Sequence, residues 1–225
     1  FTPSFRFNIY KQDSSFLNTK FSSKISYDIN QKTSLKLTLD SKSSESILNN
    51  NNNIQSFRNW FFGSELIYQK PSNSSFFKNK FYLKTSFSFG NRKFSNSKNN
   101  QFKTTLNVSY LIKTNKRSYI YIKNTSGILN SKNYFKNELF RIGGINNLRG
   151  IPEESIFTNK FTIFNIEYRY LTSKNSYLYS ITDSGITESL SSQNKTSLSL
   201  GLGYLFPLNK SHINISYTLN KNNKN

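Results

Sequence analysis

Phe164-Asn165-Ile166-Glu167-Tyr168-Arg169-Tyr170 sets a large apolar or aromatic side chain against a polar one at every step. Successive side chains of a β-strand point to opposite faces, so this stretch reads as a strand with one greasy face and one face bearing amide, carboxylate and guanidinium groups.

The same period extends in both directions. Toward the N-terminus, Phe102, Leu106, Val108, Tyr110 and Ile112 alternate with Lys103, Thr105, Asn107 and Ser109, and Phe81, Leu83, Phe87 and Phe89 with Tyr82, Lys84, Ser86 and Ser88. Leu35, Leu37 and Leu39 alternate with Lys36, Thr38 and Asp40; Phe21, Ile25, Tyr27 and Ile29 with Ser22, Lys24, Ser26 and Asp28; Phe5, Phe7 and Ile9 with Arg6, Asn8 and Tyr10. Trp60, Phe62, Leu66 and Tyr68 form a less regular strand, and Arg117–Lys123 is apolar on both faces. Toward the C-terminus come a short strand at Tyr177–Asp183, then Leu198, Leu200, Leu202, Tyr204 and Phe206 against Ser197, Ser199, Gly201 and Gly203, and Ile213, Ile215, Tyr217 and Leu219 against His212, Asn214, Ser216 and Thr218. The expected total is about eleven strands.

Alternation fits both a β-sandwich and a membrane barrel. Three features favour the barrel. The strands are long, as a tilted membrane strand requires. Tyr and Phe gather near strand ends, where aromatic girdles form. Tight connections (Asn30-Gln31-Lys32, Thr114-Asn115-Lys116, Ser173-Lys174-Asn175) alternate with long ones (Ser43–Gln55, Gly90–Asn100, Ile128–Ile156, Ser184–Lys195). Short turns on one side and long loops on the other mark an outer-membrane barrel.

Composition agrees. Among 225 residues, 35% are hydrophobic and 16% aromatic, and the mean hydropathy is −0.62. Disordered chains are poor in aromatics, whereas a barrel that shows lipid on one side and water on the other is polar on average. Cysteine is absent, which excludes disulfides, thiolate metal sites and a Cys nucleophile. No apolar run is long enough for a transmembrane helix, and Phe1-Thr2-Pro3-Ser4 does not open a signal peptide, so the chain reads as mature or trimmed. The net charge of +20 would suit nucleic acid or anionic lipid. The cations are scattered along the chain and follow a Lys- and Asn-rich composition, so no nucleic-acid partner is expected.

A non-alternating stretch from about 128 to 156 contains Phe140-Arg141-Ile142-Gly143-Gly144-Ile145-Asn146-Asn147-Leu148-Arg149-Gly150-Ile151. Glu167-Tyr168-Arg169 and Asp183-Ser184-Gly185 follow. This order resembles the C-terminal barrel of the BamA/TamA-like assembly proteins, the bacterial surface-antigen barrels, in the version found in Bacteroidota. The resemblance covers about 137 to 219 and is generic before that. Gly143, Gly144 and Gly150 suit reversals where a Cβ would clash. The resemblance implies that Arg149 enters the lumen on an in-folded loop and pairs with Glu167 and Asp183, with Arg169 and Gly185 beside them. A guanidinium can engage a carboxylate through two parallel hydrogen bonds. Alternation places Glu167 and Arg169 on the polar face. Asp183 shares parity with Tyr177, Tyr179 and Ile181, which requires either a bulge or aromatics that face the lumen. Two features depart from the family pattern: Ile151 stands where an aromatic is usual, and the closing strand with its C-terminal aromatic is missing.

The expected fold is therefore all-β, a partial transmembrane antiparallel β-barrel with about eleven strands of about sixteen. Residues 1–225 form the C-terminal part of the barrel domain, with the first strands and the periplasmic POTRA domains outside the chain. The expected location is the cell outer membrane and the expected role is assembly and insertion of client proteins. Partners would be outer-membrane lipid, client β-barrel or secreted proteins, and assembly lipoproteins. The alternatives are a polypeptide-translocating pore of the two-partner-secretion type and a β-sandwich binding protein.

Enzymatic readings are weak. Gly143–Gly150 lacks the Gly-Lys-Ser/Thr of a phosphate loop. His212 is the only histidine, and no Gly-x-Ser-x-Gly elbow accompanies it. Glu153 and Glu154 are adjacent, so they point apart on extended chain. No catalytic residue, cofactor or metal is expected.

Overall fold

The structure is a computed structural model that describes residues 1–12, 15–47, 53–74, 76–188, 194–209 and 211–223. Parts of two expected loops, 48–52 and 189–193, lie outside the described residues.

Eleven strands form one antiparallel sheet. They are β1 (Thr2–Gln12), β2 (Phe16–Asn30), β3 (Thr33–Ser46), β4 (Phe57–Pro71), β5 (Asn79–Phe94), β6 (Ser97–Lys113), β7 (Ser118–Ser131), β10 (Lys160–Ser173), β11 (Ser176–Glu188), β12 (Asn194–Leu208) and β13 (Ser211–Asn223). Their order in the sheet is their order in the chain, with β1 and β13 at its ends. Between β7 and β10 lie a 3-10 turn (Lys136–Glu138) and a separate two-stranded ribbon of β8 (Phe140–Ile142) and β9 (Ile156–Thr158).

The burial pattern is inverted relative to a water-soluble protein. Leu35, Leu37 and Leu39 of β3 are 37, 48 and 46% exposed, and Leu202 and Tyr217 exceed 70%. Asn18, Ser22, Ser44, Asn59 and Glu65 on the polar parity of β2–β4 are buried. A sandwich would cover the leucine row with a second sheet, so the β-sandwich alternative is set aside. Exposed apolar rows on strands whose backbone groups pair with their neighbours are what a lipid-facing surface demands.

Several connections differ from expectation. The long loop expected at Gly90–Asn100 is a tight turn, because β5 runs to Phe94 and β6 starts at Ser97. Ser95 takes a positive φ of 48° there, and strand pairing persists through residues too polar to show a period. β7 continues to Ser131, so the long loop begins later than Ile128, and β11 is a full strand rather than a short one. Asp183 needs no bulge: the β11–β12 register is continuous, and Tyr177, Tyr179, Ile181 and Asp183 are all buried on one face.

By compactness the chain forms two units. Unit 1 comprises Phe1–Ile67, Lys84–Thr105 and Gly127–Phe140, and unit 2 comprises Tyr68–Leu83, Leu106–Ser126 and Arg141–Asn225. The apolar core of unit 2 is aromatic: Phe77, Leu111, Tyr119, Tyr177, Tyr179 and Ile181 cluster on the polar-parity face. This explains why β7 is apolar on both faces. Tyr119 and Tyr121 pack into this cluster, whereas Ile122 is exposed.

Candidate functional site

The second half of the long loop folds against β10 and β11 within unit 2. Gly143 and Gly144 have φ of +119° and +92°, values L side chains rarely adopt. They let the chain reverse so that Gly144 N donates to Ile151 O at 3.0 Å and Asn147 N to Gly144 O at 3.2 Å. The reversal drives Leu148, which is fully buried, onto Gly185. An added Cβ at Gly185 would lie 3.0 Å from a Leu148 methyl, so the glycine supplies the space that the leucine fills.

That placement delivers Arg149 to two carboxylates. Its Nε donates to Asp183 Oδ2 at 2.8 Å and its Nη2 to Asp183 Oδ1 at 2.7 Å. Its Nη1 donates to Glu167 Oε1 at 2.6 Å, and its backbone N–H to Asp183 Oδ2 at 3.1 Å. Asp183 is fully buried, and Arg149 and Glu167 nearly so. Buried charges are tolerated when paired and fully hydrogen-bonded. The two carboxylates outweigh the cost of burial and raise the Arg149 pKa above its ordinary value, which keeps the guanidinium charged.

The remaining sequence-predicted residues surround this latch. Arg169 Nε donates to the other Glu167 oxygen at 2.8 Å, and its guanidinium lies 3.9 Å from the Tyr121 ring centroid. Gly150 sits against Thr218 and Asn220 of β13. Ile151, in the place of the expected aromatic, is buried. Asn165 Nδ2 donates to Asn147 O at 2.8 Å and Lys123 Nζ to Asn146 O at 3.0 Å, so four consecutive loop residues, 146 to 149, are held. Beside them opens a cavity of about 260 Å³ lined by Tyr121, Arg169, Tyr177 and Tyr179. His212 meets only the Phe76 ring among its described ring contacts. Glu154 pairs with Arg141 at 2.8 Å. Among the described residues no three His, Asp or Glu side chains gather in a way that could hold a metal.

The first half of the loop carries an anchor that the sequence reading missed. Within unit 1, Arg92 of β5 is 1% exposed. It forms an ion pair with Glu138, donates to Asn133 O at 3.2 Å and lies 4.1 Å from the Phe135 ring centroid. Gln101 Nε2 donates to the other Glu138 oxygen at 2.8 Å. Asn137 Nδ2 donates to Ser44 Oγ at 2.6 Å and Gln55 O at 2.7 Å, and its carbonyl accepts from Lys42 Nζ at 2.6 Å and Asn18 Nδ2 at 3.2 Å. Arg92 fell inside the loop expected at Gly90–Asn100. The available signal was parity, because Arg92 continues the polar series of Lys84, Ser86 and Ser88.

No protein-family model matches the chain, and no curated protein matches it. Among solved structures, the chain is similar to CdiB from Acinetobacter baumannii at 16% identity and a TM-score of 0.57, over 92% of this chain. The chain spans 42% of that protein's length. The likeness shows the fold: a partial transmembrane antiparallel β-barrel.

Proposed function

We propose that the chain is the C-terminal part of an outer-membrane β-barrel that moves polypeptide clients into or across that membrane, without an enzymatic step. The observation that carries this reading is the in-folded loop fixed by Arg149 on Glu167 and Asp183. It occurs in the motif order that resembles the BamA/TamA-like barrels, inside a sheet that presents apolar rows outward. The loop occupies the polar face with a rigid, charge-neutralised tip, so it can act as a fixed internal element around which the barrel handles a client.

Two routes fit such a barrel. In the assembly reading, client strands pair with the barrel's own strands by β-augmentation and outer-membrane lipid and assembly lipoproteins are the partners. In the translocation reading, one extended polypeptide passes through. The likeness to CdiB, at 16% identity, is a likeness of fold and fits either route. Depletion in the native host, with quantitation of outer-membrane and secreted proteins, separates them. Loss of many β-barrel proteins supports assembly. Loss of one secreted protein with porins intact supports translocation. Unchanged levels of both would overturn the proposal.

A further inference from the structure

The polar face of unit 1 carries a cluster that the loop anchors do not use. Glu65 of β4, whose side chain is 6% exposed, is met by three lysines: Lys84 of β5 at 3.1 Å, Lys24 of β2 at 3.5 Å and Lys36 of β3 at 3.8 Å. Beside them Lys20 pairs with Asp40 at 2.9 Å, and Lys103 of β6 belongs to the polar series of its strand. Strand parity puts all of these on one face. Five ammonium groups thus stand against two carboxylates, or three if Asp28 near the end of β2 is included.

Like charges this close repel, and on a half-buried face that repulsion is screened less than between fully exposed groups. A single carboxylate leaves two of its three lysines uncompensated. The Glu65 lysines keep a quarter to two fifths of their side-chain surface accessible, so they can reach a second anion. Lysine ammoniums are flexible point charges without the guanidinium fork, suited to side chains that pass rather than lock. Glu65 itself displays the ligand chemistry, a carboxylate gathered by several ammonium groups.

We propose that Lys24, Lys36 and Lys84 form a binding site for carboxylate side chains of an acidic polypeptide segment, with Glu65 limiting its strength. The proposal rests on the polypeptide-handling reading and names the class of segment that this face grips.

The test uses the full-length protein in detergent and a fluorescein-labelled oligoglutamate peptide, with oligolysine of equal length for comparison. Oligoglutamate binds and oligolysine does not. The triple variant Lys24→Gln, Lys36→Gln, Lys84→Gln weakens binding roughly tenfold. The triple variant Lys32→Gln, Lys116→Gln, Lys174→Gln, which removes the same charge from exposed turns, leaves binding within about twofold. Glu65→Gln tightens binding and supplies the test if the first triple variant does not fold. Equal weakening by both triple variants would reduce the effect to net charge and overturn the site, as would an unchanged affinity in Glu65→Gln or oligolysine binding as well as oligoglutamate. Because binding is read on purified protein, a site confirmed here alongside unchanged protein levels on depletion would sink the functional reading alone.

Discussion

Arg149 grips Asp183 through two parallel hydrogen bonds of 2.8 and 2.7 Å, and a third from its own backbone N–H reaches the same carboxylate. The loop tip and its guanidinium are therefore registered on β11 together. Asp183 has no exposed surface, so Arg149 stands in for the water its carboxylate lacks.

Arg149→Ala strands Asp183 and Glu167 as buried carboxylates. Breaking a buried pair by removing one partner costs about 3–5 kcal/mol. The expected outcome is a lower urea midpoint for the folded barrel and faster protease cleavage between 143 and 151, with the strands retained. Arg149→Lys restores charge but not the fork, so it recovers only part of the loss. Protection of the loop in Arg149→Ala equal to that of the parent would show that the latch does not hold it.

The second anchor predicts coupling between Arg92 and Glu138. Both are buried, and Gln101 shares the Glu138 carboxylate. Glu138→Gln and Arg92→Met should each destabilise. The double variant should lose about 1–3 kcal/mol less than the two single losses combined. Strict additivity in a double-mutant cycle would mean the pair contributes no mutual stabilisation.

These two anchors were unequally legible. Glu167 lies in a strand whose alternation is nearly perfect, so parity put it on the polar face; the pairing of Arg149 with it was implied only by the resemblance of the loop motif, in which Gly143, Gly144 and Gly150 mark reversals. Asn137 is different. Its side chain is tied to Ser44 and Gln55, 93 and 82 residues away in sequence, and no local pattern encodes such a pairing. Arg92 was hidden by composition. The Asn-, Ser- and Lys-rich run around it has the make-up of a loop, yet β5 and β6 extend through it because backbone pairing does not require an apolar row. The aromatics of β11 were ambiguous for the opposite reason. Apolar side chains on the polar parity signal a packed inner cluster as readily as a change of face, and only the positions of Phe77 and Tyr119 decide between them.

The two loop glycines should differ in their response to alanine. A Cβ at Gly143 would lie 2.2 Å from the Pro152 carbonyl oxygen, which is backbone, whereas one at Gly144 would meet the Glu153 carboxylate, which can swing away. Both bear the strain of a positive φ, about 1–3 kcal/mol. Gly143→Ala should therefore destabilise the loop more than Gly144→Ala in a protease-protection series. Equal protection would mean that the Pro152 backbone yields as easily as a side chain.

Leu200 of β12 tests the lipid-facing assignment itself. It is 55% exposed between Ser199 and Gly201, and Ser199 is fully buried. On a sheet bathed in water, Leu200→Arg would change stability by no more than about 0.5 kcal/mol. On a lipid-facing strand the same change costs about 2–4 kcal/mol near the bilayer midplane. Folding into phospholipid vesicles, followed by the heat-sensitive mobility of the folded barrel on gels, reads the difference directly. Leu208→Arg supplies the depth control. Leu208 is equally exposed but ends β12, so it should cost about 0–1 kcal/mol at the interface. A large penalty at Leu200 beside a small one at Leu208 is the signature of a strand crossing a bilayer. Two small, equal penalties would mean that this exposed row meets water.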